Sequence, residues 1–278
     1  MLGGNNMQNT IPVLSIVAMA ISALIGIAIP VVLYIVFRKK GAKHLPFWTG
    51  AVTFVLFALV LEQLVYSFLM KTALWVTISS NTWLYGIVGG FMAGLFEETG
   101  RFVAFKTVLR KQRGNDTNAL MYGAGHGGIE AGLLLSVSMV INLIFCLQYN
   151  AGVPSQFGGS AEALAIAAAP SVLFLAGGVE RIIAVTIHVS LSVLVWFAAK
   201  DSKKFWLYPL AILLHLVVDA AAVILKGFGT NDWLIEGAVL VITLGFVFLA
   251  IAVWKKNHVA QASEAPEEPA SPEAKAQA

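Results

Sequence analysis

Seven apolar stretches of about twenty residues or more divide this chain, and nothing else constrains its fold so strongly, because about 20 apolar residues in a helix cross a bilayer core. They run over 11–37, 48–70, 83–109, 119–147, 171–199, 205–225 and 234–254. The residues are 58% hydrophobic and 12% charged, with a mean hydropathy of +0.81, whereas soluble domains carry about 25% charged residues. The expected fold is all-α, a polytopic transmembrane helix bundle over 1–258. Residues 259–278 are Ala, Glu, Pro, Gln and Ser with almost nothing large and apolar, so they are expected to form a disordered cytoplasmic tail. The first stretch is too long for a cleaved signal peptide and nothing basic precedes it, so it is read as a span. The sole cysteine, Cys146, excludes an internal disulfide.

Basic residues cluster after alternate spans: Arg38, Lys39, Lys40 and Lys43; Arg110, Lys111 and Arg113; Lys200, Lys203 and Lys204; Lys255 and Lys256. By the positive-inside rule these ends are cytoplasmic, which puts the N-terminus outside a cell membrane and the C-terminus inside. The clusters are topology determinants and not a nucleic-acid surface. Residues 150–170, broken by Gly152, Pro154, Gly158, Gly159 and Pro170, are expected to form an outer loop with an interfacial or re-entrant piece.

Ionisable residues inside spans are expensive and mark function. This chain has Glu62, Glu97, Glu98, Arg101, Glu130, Glu180, Arg181 and Asp219, with His126, His188 and His215. At 1.5 Å per residue from the cytoplasmic end, Glu97 lies about 20 Å deep, Glu130 and His188 about 18 Å and His215 about 15 Å, with Asp219 and Glu62 near 21 Å. Helices running in alternating directions thus place carboxylates and imidazoles in one layer. Residues three or four apart share a helix face, so Arg101 can hold Glu97 or Glu98, and His126–Glu130 and His215–Asp219 are candidate ring-orienting pairs. Gly86, Gly90 and Gly94 form a small-residue ridge in line with Glu98, and Gly123/Gly127 and Gly128/Gly132 form two more pairs. Such ridges allow close helix approach, and spans three and four are expected to meet there. Glu180 with Arg181 reads as an interfacial ion pair, and Glu62 as structural.

A hydrolase could use such a layer. Two imidazoles and a carboxylate are catalytic-zinc ligands, a set that Glu130, His188 and His215 can supply, with Glu97 or Glu98 as general base. A metal-free version has a glutamate activate water while histidines hold the oxyanion. A proton-coupled transporter and a non-enzymatic scaffold that binds a partner's helix also use midplane charges.

The runs EETGR at 97–101, HGGIE at 126–130, HVSLS at 188–192 and HLVVD at 215–219 resemble the YhfC family of the CAAX-protease and bacteriocin-processing superfamily, and are similar to its PrsW-type branch with Glu130 in the second-motif position. The resemblance covers about 120 residues. It implies an intramembrane peptidase with a four-helix catalytic core, acting on a membrane-associated peptide or protein. It departs from the superfamily pattern in the spacing of the first motif's arginine and in a second motif ending in Glu130. On this reading Glu97, Glu98, Arg101, His126 and Asp219 are the catalytic candidates, and Glu130, His188 and His215 the ligands of a possible Zn2+.

Overall fold

A computed structural model describes residues 10–258; the tail expected over 259–278 lies outside them. Nine helices order the described residues: α1 (Val13–Lys39), α2 (His44–Leu69), α3 (Ala73–Ser79), α4 (Thr82–Lys106), α5 (Thr117–Asn150), α6 (Ser160–Ala168), α7 (Leu173–Lys200), α8 (Leu207–Gly227) and α9 (Asp232–Asn257). Every expected span coincides with one long helix, each end within four residues of its expected place. Six of them are long and apolar enough to cross a membrane. The remaining one, α4, has the length but carries Glu97, Glu98, Arg101 and Lys106. Side chains such as Leu24, Val241 and Phe248 are more than half exposed on the outside of the bundle, a surface suited to lipid and not to water. The protein is a multi-pass membrane helix bundle.

The centre of the bundle is α7. Most of it is enclosed, whereas the other apolar spans bury only about a quarter of their length. Around it pack α1, α5, α9, α4 and α8. Between Asn150 and α7 the chain forms the short helix α6, which buries Ala163 beside Ile11, Met19, Phe145 and Cys146. It does not span.

Two helices depart from regular α geometry. Residues Val55–Glu62 of α2 and Ala131–Ser136 of α5 are π-helical, a form that appears mainly as a local bulge at functional sites. One stretch ends on Glu62 and the other begins directly after Glu130.

The glycine ridge packs differently from the sequence expectation. Gly86, Gly90 and Gly94 face α8, where a β-carbon on Gly90 would stand 2.6 Å from the Leu216 carbonyl oxygen and one on Gly94 2.8 Å from that of Ile212. Spans three and four therefore do not meet along it. The contact of α4 with α8 is the most extensive in the bundle, and it seats Glu98 over His215. On α5, Gly123 and Gly127 meet α7 at Val189 and Val185, Gly128 meets Pro30 of α1, and Gly132 meets nothing. The closest approach is between α2 and α5, where Gly125 lies under the Phe47 carbonyl and Gly50 under that of Tyr122.

Candidate active site

Four helices deliver the polar layer: α4, α5, α7 and α8. Glu98 and Arg101 are fully buried one turn apart on α4. Arg101 Nη1 donates to both Glu98 oxygens at 2.7 and 2.6 Å, and His215 Nδ1 donates to Glu98 Oε1 at 2.9 Å. Two donors thus neutralise a charge that could not stand alone there. The other ring nitrogen of His215, Nε2, lies 3.4 Å from Asp219 Oδ2, so the expected pairing within α8 is present.

Glu97, the neighbouring carboxylate, turns toward α5 and α7. His126 Nε2 donates to its Oε2 at 2.8 Å, and His188 Nδ1 stands 3.8 Å from the same oxygen. Phe54 packs edge-on against the His126 ring at 5.3 Å. Arg101 Nη2 lies 3.1 Å from His188 Nδ1. Arginine has no acceptor, so that nitrogen is the acceptor and the His188 proton sits on Nε2. His188 Nε2 then faces Glu130 Oε2 at 2.6 Å, outside hydrogen-bond geometry, which leaves that buried oxygen without a hydrogen-bond partner.

Two sequence expectations are corrected here. His126 and Glu130 share a helix face but do not pair: His126 goes to Glu97 on α4, because α5 presents these side chains to different neighbours. The Glu180–Arg181 pair exists, yet Arg181 also donates from Nη1 to Glu130 Oε1 at 2.5 Å. Arg181 is thereby tied to Glu130 as well as to Glu180. Its signal is in the sequence, since residues 181 and 188 lie seven apart and hence on nearly the same helical face. Glu62, read as structural, is buried within electrostatic reach of Glu97, His215 and Asp219.

One group of described residues converges as ion ligands do. A ligand atom from each of Glu97, His126 and His188 lies within 4.8 Å of the others. The expected set was Glu130, His188 and His215; of these, Glu130 touches His188, while His215 is held by Glu98 and Asp219. A carboxylate with two imidazoles is a fitting donor set for a zinc-type ion. The guanidinium beside His188 Nδ1 opposes a cation there.

A cavity of about 730 Å³ opens over this group, lined by Glu97, Glu130, Arg181, His188, His215 and Asp219 and continuing toward Thr82 and Asp232. The fold and the site together define a multi-pass membrane protein with a titratable centre inside its helix bundle, joined to a polar cavity.

The chain belongs to the YhfC intramembrane metalloprotease family, whose family model matches residues 25–239. It is 32% identical over 220 residues to the uncharacterized membrane protein YhfC of Bacillus subtilis (strain 168), a match covering 76% of this chain and 84% of that protein. No solved structure matches.

Proposed function

We propose that this protein is an intramembrane metallopeptidase that hydrolyses a peptide bond on the floor of the Glu97–His188 cavity. The observation that carries the reading is the convergence of Glu97, His126 and His188 from three helices within 4.8 Å, inside an apolar bundle and beneath a polar cavity. Those three side chains would hold a zinc ion, which when bound polarises the scissile carbonyl and acidifies water. Glu130 is the general base. Arg181 fixes its Oε1, and Oε2, which lies 2.6 Å from His188 Nε2, takes the proton of the attacking water and returns it to the leaving amine. His215 donates from Nδ1 to Glu98, its Nε2 lies 3.4 Å from Asp219, and the ring lines the cavity where an oxyanion would develop. Glu98 and Arg101 hold His215 and His188 in place.

A second reading is favoured by the Arg101 guanidinium, 3.1 Å from His188 Nδ1. Here no metal binds, and Glu97 or Glu130 activates water directly.

Peptide hydrolysis by the purified protein in lipid nanodiscs tests both. Glu130→Gln is expected to lower turnover by about 10²-fold or more with bound metal retained, and Glu97→Gln to lose both. Unchanged turnover in both variants would refute the peptidase reading. Full turnover after chelation would select the metal-free form.

A further inference from the structure

The cavity above the Glu97–His188 floor has a direction and a sign. It ends at Ser79, Thr82, Gly227 and Asp232, in the α3–α4 and α8–α9 connections, at the opposite end of the bundle from the loops rich in Lys and Arg. Its cations are engaged: Lys226 pairs with Asp232, and Arg181 with Glu180 and Glu130. Two carboxylates on the wall have neither lysine nor arginine bonded to them. The Asp219 side chain is 40% exposed and meets His215 at 3.4 Å, and Glu236 keeps a buried Oε2 without a hydrogen-bond partner. Carboxylates in a cleft with apolar walls concentrate cations, because the low-dielectric surroundings focus their field.

We propose that the site is reached from the end opposite the Lys/Arg loops, the extracytoplasmic face by the positive-inside rule, and that its substrate is a peptide segment on that face which places a lysine or arginine against Asp219 and Glu236. The access route and the charge preference belong to the cavity itself; only the word substrate rests on the peptidase reading.

Thiol labelling tests this in intact cells without a known substrate. An Ala222→Cys variant places a thiol on the cavity wall, Ser80→Cys places one on the exposed α3–α4 turn, and the native chain with its buried Cys146 is the blank. Membrane-impermeant methanethiosulfonates, one cationic (ethyltrimethylammonium) and one anionic (ethylsulfonate), are added from outside. The cationic-to-anionic rate ratio at the cavity thiol is expected to exceed that at the turn thiol by about tenfold or more. Asp219→Asn with Glu236→Gln should bring it toward the turn value, and a lysine-containing pentapeptide should slow labelling where its glutamate counterpart does not. Labelling of the Ala222→Cys thiol only after permeabilisation would overturn the route. Equal ratios at the two thiols, or equal protection by the two peptides, would overturn the charge preference. Labelling needs only the folded chain, so a protein that labels as expected but cleaves nothing would refute the peptidase reading and leave this one standing.

Discussion

Arg101 shows how far one residue can carry a buried site. It is wholly enclosed with Glu98 and also touches His188, so a cut at this position leaves a carboxylate uncompensated. Arg101→Met is expected to lower unfolding stability in detergent by about 3–5 kcal/mol, whereas Glu180→Gln, at the partly exposed rim, should change it little. Asp116 plays a comparable part at the other end of α7, outside the spans, where it accepts from Trp196 Nε1 at 2.8 Å, from Lys200 and from His258. Burial raises its carboxyl, but the hydrogen bonds from Lys200 and Trp196, the Lys200 charge and His258 outweigh burial and hold the group below its ordinary 3.8. A depressed value means that the stabilisation is complete above the unfolded-state value and is lost as pH falls through the folded one. Asp116→Asn should therefore destabilise the protein at pH 7 by about 1–3 kcal/mol, with the gap to wild type closing in acid; a gap independent of pH would exclude a role for its charge. Every member of the central cluster was visible in the sequence as an ion too costly to place in a membrane without reason. The partners were not. Spacing along a helix finds Glu98–Arg101 and His215–Asp219, whereas His126–Glu97 and Arg181–Glu130 join different helices, and their pairing depends on helix rotation.

At the scale of helices, glycines decide who neighbours whom. Spacing disclosed the ridge on α4 but not its partner, since a four-residue repeat of small side chains fits any neighbour equally well. A β-carbon at Gly90 would meet Leu216 backbone at 2.6 Å, whereas one at Gly132 meets nothing within 4 Å. Gly90→Ala is expected to cost about 1–3 kcal/mol through strain and to draw His215 away from Glu98. Gly132→Ala should be neutral or stabilising by up to about 1 kcal/mol. Thermal unfolding of the two variants in one detergent checks the pair; equal effects would mean that the α4–α8 contact is looser than its geometry. The π-helical turns after Glu130 and before Gln63 escaped the sequence because a local change of winding leaves hydrophobic spacing nearly intact.

For the whole molecule, hydropathy and charge were enough to find the helices, since a bilayer permits few alternatives to long apolar helices. They could not reveal that α7 stands at the centre, because its outward sequence is as apolar as that of spans facing lipid. Centrality matters to function: α7 carries both Arg181 and His188, and it joins the α5 half of the site to α8.

The claim on which the account turns is that Glu97, His126 and His188 share one ion. Elemental analysis of protein purified without chelators, for wild type, His126→Ala, His188→Ala and His215→Ala, tests it most directly. One zinc per chain is expected in wild type and in His215→Ala, and none in the other two variants. Zinc kept by His126→Ala and lost by His215→Ala would move the ion to the Glu130–His188–His215 set, and a wild type without metal would contradict the claim outright.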